Sequence, residues 1–473
     1  MTTSGKGIWV PSFIAKRLQL FESSSEPGSL RARFQHGISW NVTGAIVNNG
    51  ANFLTNIAIA NLLGRVTFGE YGMIQSTLMT FVGIAQAAGG ITATKYVAEF
   101  RSSDKERAGR VLGLCTATTA VTGIISTLLI LISAPWLAGT TLKSPFLARP
   151  LQIAAAVVFF TVMNAYQMGA LAGLESYRKW AITNGLQGPL QLGICSFSAW
   201  RWGLSGAVAG LLTTSAVRWL LLQIALRREA NRQGIVLRYA GLWQERPILL
   251  GFALPAAIGG FSAAPAIWLG NTFLVRQAGG YSQLALFGAA LNLKNVVMFL
   301  PLLLNNVGFS LLNNQRGEGN EERYRKVFWT TVYCVAVVVV SAAAFVGVSG
   351  THLLRLYGKS FPEAHPTLLI LLCCAVLEAV AMAVYLIIST QEKMWLTLLA
   401  IVLPRDFTLV VLAYKLTPVY GVVGLAMAHA IAWLLCATVI FSSVLAIGLS
   451  PKRKTAASVV IPFSGLLEGD SDL

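Results

Sequence analysis

Apolar residues fall along this chain in twelve runs, near 38–63, 71–95, 111–133, 150–173, 181–202, 204–226, 248–275, 282–312, 327–349, 365–389, 396–415 and 420–447. Each is about as long as the ~20-residue helix needed to cross a bilayer. The run 327–349 contains no charged residue. Charged and turn-forming residues collect between the runs. The pattern predicts an all-α polytopic membrane protein with twelve transmembrane helices. Composition agrees: 55% of residues are hydrophobic and 12% charged, with a mean hydropathy of +0.64.

The first run breaks the pattern. "NVTGAIVNNGANFLTNIAIAN" carries six asparagines, poor helix formers that are costly in hydrocarbon. At 100° per residue, Asn41, Asn48, Asn52 and Asn56 fall within about 80° of one another, with Gly44, Ala45 and Thr55 in the same sector. Val42, Ile46, Phe53 and Ile57 face the other way. Amides must not face lipid unsatisfied. The stripe therefore faces protein, as helix-to-helix glue, or a water-filled cavity, where each amide offers donors and an acceptor to sugar hydroxyls. Asn49 and Asn61 lie off the stripe and read as ordinary structural residues.

The net charge of +17 does not point to nucleic acid, because of where the charge sits. With the amino terminus inside, 25 of the 36 Lys and Arg lie in cytoplasmic segments and 8 in outside loops. That asymmetry predicts cytoplasmic termini, with some attraction to anionic lipid heads. The six cysteines all lie within runs and include no C-x-x-C, so neither a disulfide framework nor a metal site is expected. No nucleotide-binding G-x-x-x-x-G-K-[ST] loop occurs, and no cofactor is expected. Residues 1–37 form a cytoplasmic tail. Within it, Val10, Phe13, Ile14, Leu18 and Phe21 share one helical face beside Lys16 and Arg17, the pattern either of an interfacial helix or of a disordered tail. Residues 448–473 form a second cytoplasmic tail, expected to be disordered.

The two halves resemble each other. Gly69 and Tyr71 precede Gly279 and Tyr281 by 210 positions, and Lys143-Ser144 precedes Lys359-Ser360 by 216. Trp180 and Pro189 recur 215 later as Trp395 and Pro404, and Gly203 and Gly206 recur 218 later as Gly421 and Gly424. Six spans plus six give two lobes of one orientation, 38–226 and 248–447, joined by a basic cytoplasmic linker at 227–247. Substrate in such repeat transporters binds between the repeats.

Several segments resemble a known family. "IANLLGRVTFGEYG" is similar to the "lLGpeeyG" turn between the first two helices of Wzx-type flippases. "ALAGLESYRKW", "LYGKSFPEAHPTLLILL" and "PVYGVVGLAMAHAIAW" resemble three later connections of that family, and the likeness extends over residues 38–447. It departs at "IISTQEKMW", where relatives have a longer turn. The family is the polysaccharide-transport branch of the multidrug/oligosaccharidyl-lipid/polysaccharide exporter superfamily. The resemblance implies a MATE-like V-shaped bundle in a bacterial inner membrane, with the first helix at the lobe interface. It further implies translocation of an undecaprenyl-diphosphate-linked oligosaccharide for O-antigen, capsule or exopolysaccharide biosynthesis, in company with glycan polymerases and glycosyltransferases.

Charged residues inside spans are functional candidates by default. Lys294 lies deep in the eighth run with Pro301 and Asn305 on its side. It fits either a diphosphate head group or a buried pair with a carboxylate such as Glu378. Arg218 lies nearer the cytoplasmic end of its run, where snorkelling to lipid phosphate competes with contact to the diphosphate. Arg405 either lines the cavity as a third diphosphate ligand or pairs across helices. Adjacent residues point about 100° apart on a helix, so Arg405 and Asp406 are not expected to pair with each other. Glu378 and Asp406 are the ion-coupling candidates, since a desolvated carboxyl can hold a proton; a neutral core Glu is the alternative for Glu378. His429 reads as a core histidine.

Three functions compete. A lipid-linked oligosaccharide flippase fits the basic residues within the spans. A cation-coupled multidrug antiporter would favour acidic ones. A glycan polymerase or ligase would need a large outside loop, and the longest here spans only about 15 residues, as at 350–364. The chain is expected to be a transporter, not an enzyme. Thiol tags placed one at a time at Ser103, Glu229 and Gly319 should react only from the cytoplasm, and tags at Thr140 and Ser360 only from outside. Outside reaction at 229 would overturn the linker assignment.

Overall fold

The computed structural model describes residues 30–86, 89–248, 263–318, 321–390 and 397–447. The amino-terminal segment with its interfacial face, the first part of the seventh run, Trp395 and the carboxyl-terminal tail lie outside the described residues, as does the side chain of Asn41.

The described chain is helical: α1 (Leu30–Leu63), α2 (Arg65–Ala85), α3 (Gly89–Phe100), α4 (Lys105–Trp136), α5 (Ala148–Gly173), α6 (Tyr177–Arg232), α7 (Ala263–Val275), α8 (Gly280–Glu318), α9 (Glu321–Arg355), α10 (His365–Thr390) and α11 (Leu403–Ile447). Seven described helical segments are long and apolar enough to cross a membrane. Two of them, at 56 and 50 residues, are far longer than one crossing requires. Each turns back at a glycine, Gly203 (φ 61°, ψ −139°) and Gly421 (φ 54°, ψ −129°), a conformation that is essentially glycine's alone. Each long helix therefore supplies two spans. With α1, the α2–α3 pair and α7, the described residues supply twelve.

The turns also display the internal repeat. A Cβ on Gly206 would lie 1.9 Å from the Ser198 carbonyl oxygen, and one on Gly424 2.3 Å from that of Leu416. These two partners are themselves 218 apart, the spacing of the glycines. Near the α7–α8 junction the register differs from the sequence expectation. The positive-φ glycines that precede α2 and α8 are Gly64 (φ 75°) and Gly279 (φ 66°), so Gly279 corresponds to Gly64 and not to Gly69. The "G-x-Y" likeness fell five residues off because a two-letter match carries less information than a backbone turn.

The lobes meet at one end of the bundle. Alternation along the chain puts the α1–α2 and α7–α8 turns, the 137–147 and 356–364 segments, and both glycine turns at that end. There one apolar core crosses from lobe to lobe, through Ile59, Phe68 and Tyr71 on one side and Phe287, Tyr357 and Phe361 on the other. Phe68 lies 6.2 Å from Tyr357 and 6.1 Å from Phe361, ring centre to ring centre. Gly69 permits the closest approach: a Cβ there would sit 1.8 Å from the Tyr281 carbonyl oxygen. Towards the opposite, basic end each lobe has a separate core. One contains Val97, Leu112, Tyr166 and Leu226; the other contains Leu312, Tyr324, Phe328 and Ile387.

The segment that follows α6 is strapped to the first lobe. The Arg238 amide donates to the Gly109 carbonyl at 3.2 Å. Glu245, its side chain 4% exposed, takes Arg107 at 3.1 Å and Arg110 at 3.4 Å. Ile235 and Ile248 are buried in that lobe's core.

Candidate functional site

Polar contacts bind the lobes together down from the shared end. Asn61 donates to the Leu356 carbonyl at 2.6 Å. Arg65 pairs with Glu363 at 2.7 Å and reaches the Ser282 carbonyl at 3.4 Å. Tyr281 donates its hydroxyl to the Leu142 carbonyl at 2.9 Å. Deeper along α2, Asn271 donates to Ser76 Oγ at 2.9 Å and Trp268 to Thr77 Oγ1 at 3.0 Å. Together these form a clasp from the bundle's end into its middle. Asn61, which the helical projection assigned a structural part, is one of its bridging residues.

The asparagine stripe lies on α1, against the first arm of α6. The close contact uses small residues and backbone. A Cβ on Gly44 would stand 2.8 Å from the Ala181 carbonyl oxygen, and one on Gly188 2.9 Å from Asn48 Cα. Asn48, Asn52 and Asn56 are half-buried. Among the described residues their side chains make no hydrogen bond to another helix. Asn56 donates to the Asn52 carbonyl at 3.0 Å within α1, and the buried Asn48 Oδ1 has no partner. Packing brings these amides to the contact without using up their hydrogen-bonding capacity.

A second set of polar groups lies in the same lobe, on α5 and the two arms of α6. Arg218 Nη2 donates to Asn184 Oδ1 at 3.3 Å and lies 2.7 Å from Met168 Sδ. Gln167 Nε2 donates to Gln223 Oε1 at 2.6 Å, and Asn164 Nδ2 to the Ser215 carbonyl at 3.1 Å. Arg218 Nε, Asn164 Oδ1, Gln167 Oε1 and Gln187 Oε1 are buried without protein partners. Arg218 thus turns into its lobe, and the expectation that it snorkels outward is corrected. Position along a span sets depth, but packing sets direction. No described carboxylate pairs with it. Such groups, left unpaired, are costly in a dry interior, so this region has the polarity of a wet or ligand-binding pocket.

The other lobe neutralises its charges internally. Lys294 Nζ meets Glu378 Oε2 at 2.5 Å, the buried-pair alternative of the sequence reading. Arg405 donates from Nε and Nη2 to Asp406 Oδ1 at 2.8 and 2.7 Å, against the expectation that these neighbours do not pair. Helical angle alone misled there, because the arginine side chain is long enough to curl back over one residue. Arg405 also lies 5.1 Å from the Trp433 ring centre. The pair directly follows a π-helical turn, Thr397–Val402, an irregularity frequent at functional sites. Asn305 is 5% exposed, and neither of its amide atoms has a partner. His429 contacts the Leu425 carbonyl at 3.0 Å and packs on Phe287, as a core histidine does.

With this geometry the chain can be compared with known proteins. Residues 34–245 match the polysaccharide biosynthesis protein family. The EPS I polysaccharide export inner membrane protein EpsE of Ralstonia nicotianae is 23% identical over 297 residues, 63% of this chain and 67% of that protein. These likenesses agree with the resemblance to the polysaccharide-transport branch of the multidrug/oligosaccharidyl-lipid/polysaccharide (MOP) exporter superfamily that the sequence motifs carry. An inward-facing MATE family transporter of the MOP superfamily superposes with a TM-score of 0.72 at 17% identity, covering 86% of this chain and 96% of that one. An outward-facing one gives 0.65 at 18% identity, covering 87% and 94%. A MOP transporter from Pyrococcus furiosus, whose binding pocket is described as reversed in polarity, gives 0.65 at 18% identity, covering 86% and 94%. The two-lobed, all-helical fold expected from the sequence is therefore observed. The chain thus has the fold of multi-pass transporters, and the family match over residues 34–245 is the likeness that bears on its role.

The buried Lys294–Glu378 pair makes a prediction about stability. Removing one partner strands the other charge, at about 3–5 kcal/mol. In detergent, Lys294→Met should lower the unfolding temperature clearly, and the double variant Lys294→Met/Glu378→Leu should recover most of the loss. Two losses that simply add would show that the pair is not coupled.

Proposed function

We propose that this exporter flips an undecaprenyl-diphosphate-linked oligosaccharide from the cytoplasmic to the outer leaflet. In this reading the basic end and both termini are cytoplasmic, the clasp lies on the outer side, and the structure is the inward-facing form. The observation that carries the substrate class is Arg218. Of the three cations deep within spans, Lys294 and Arg405 have carboxylate partners. Arg218 has only an amide oxygen and a thioether among the described residues. A cation so placed suits an anionic head group. The unpaired amides of Asn48, Asn164, Gln167 and Gln187, with Asn52 and Asn56, suit sugar hydroxyls without demanding one sugar.

A multidrug antiporter is less well supported, because Glu378 and Asp406, the acids deep within the spans, are each held by a cation. The same two pairs are the candidates for ion coupling: a proton on Glu378 would release Lys294 to the cavity, and one on Asp406 would release Arg405. Glycosyltransferases that build the substrate and a polymerase that receives it are the expected functional partners.

Driving force supports the assignment. A diphosphate carries roughly two negative charges, and each gains about 2.3 kcal/mol per 100 mV on moving outward across an inside-negative membrane. The remaining problem is the barrier to desolvating the head group, which a buried cation lowers. In proteoliposomes, Arg218→Gln should slow exposure of the lipid-linked glycan about tenfold or more, the worth of hydrogen bonds to a charged group. Arg218→Lys should retain part of the rate. Wild-type rates for Arg218→Gln would remove Arg218 from the head-group site.

A further inference from the structure

The clasp contains an acid that none of the foregoing uses. Glu70 lies on the second turn of α2, between two residues that fix the lobe junction. Gly69 admits the Tyr281 backbone, and Tyr71 is buried at 1% exposure in the shared core. Glu70 itself is 7% exposed. Among the described residues its carboxylate has no hydrogen-bond donor and no cation. The groups around it are specific. Tyr281 of α8 lies across the junction with its carbonyl against Gly69, and its phenol donates its proton to the Leu142 carbonyl. Arg65, five residues earlier, is committed to Glu363. Lys143, on the segment between α4 and α5, and Arg149, in the first turn of α5, form no pair with it.

We propose that Glu70 is a proton-binding latch: the clasp closes on the neutral carboxyl and opens on the carboxylate. The proposal rests on the reading that the lobes separate at this end during transport. A carboxylate without a counter-charge is penalised by the loss of water far more than a carboxylic acid is. Parting the lobes between Gly69 and Tyr281 would rehydrate the side chain. The closed form therefore binds the proton more tightly than the open form, and by linkage protons favour closure. Closure is fully favoured at pH below the open-state pKa. It weakens as pH rises through the closed-state pKa. With the clasp outside, a proton taken up there after glycan release would return the empty carrier to the form that opens at the basic end.

The test is a distance measured against pH. Leu62 and Leu356 are exposed on opposite lobes at the clasp. In a variant whose six native cysteines are replaced, Leu62→Cys and Leu356→Cys carry spin labels, and electron–electron resonance in nanodiscs reports the separation. Raising the pH from about 5 to about 8 should shift the parent protein from a short to a long distance. Glu70→Gln, a neutral isostere, should hold the short distance throughout, while Glu70→Asp should keep the shift. Glu363→Gln should raise the open fraction at every pH and leave the pH-dependence in place. A pH shift that survives in Glu70→Gln, or a parent that does not respond, would overturn the latch. No glycan is present, so failure here leaves the Arg218 assignment standing, and failure of that assignment leaves this result intact.

Discussion

A polar group inside a bilayer must find its hydrogen bonds within the protein, because lipid offers none. That constraint arranges the two lobes of this protein differently. One lobe meets it by pairing charges, Lys294 with Glu378 and Arg405 with Asp406. The other keeps the Arg218 guanidinium without a described carboxylate, while both lobes hold amides whose capacity the protein only partly fills. A repeat protein could have decorated its halves alike. Here the fold is repeated, down to the Gly203 and Gly421 turns, and the electrostatics are not.

The same constraint explains the clasp. One apolar core is shared between the lobes at one end, and each lobe has its own core towards the other. At the merged end the contacts are mostly backbone carbonyls met by side chains, with a carbonyl set against the bare Cα of Gly69. Such contacts are individually modest, about 0.5–1.5 kcal/mol each. A junction of this kind can open without breaking a buried ion pair, which would cost several times more. The strap from Ile235 to Ile248 fixes the connecting segment to the first lobe.

Much of this was legible in the chain itself. Runs of about 20 apolar residues found the spans, and the "GLSG" and "GVVG" pairs found two turns that share one backbone conformation. The Asn48–Asn52–Asn56 stripe was visible because helical periodicity projects it onto one face. Lys294 and Glu378 are legible as a pair, one of two readings that the sequence allows. Direction was harder. Arg218 was located in depth but not in orientation, and the Arg405–Asp406 pair was missed because a helical angle ignores side-chain reach. The clasp left no trace at all. Asn61 and Leu356 are 295 residues apart, and a backbone carbonyl as acceptor has no residue type to recognise. The amides of α5 and α6 were equally silent, since each is a single polar letter in an apolar run.

The central claim is that transport requires the clasp to open. Asn61→Cys and Leu356→Cys would place a thiol on each side of it, where Asn61 now donates to the Leu356 carbonyl. A short, reducible bis-thiol reagent should join them in vesicles that contain the otherwise cysteine-free exporter. The account predicts that joined protein stops exposing lipid-linked glycan on the far side, and that reduction restores the rate. Export that continues unchanged with the lobes joined would contradict it.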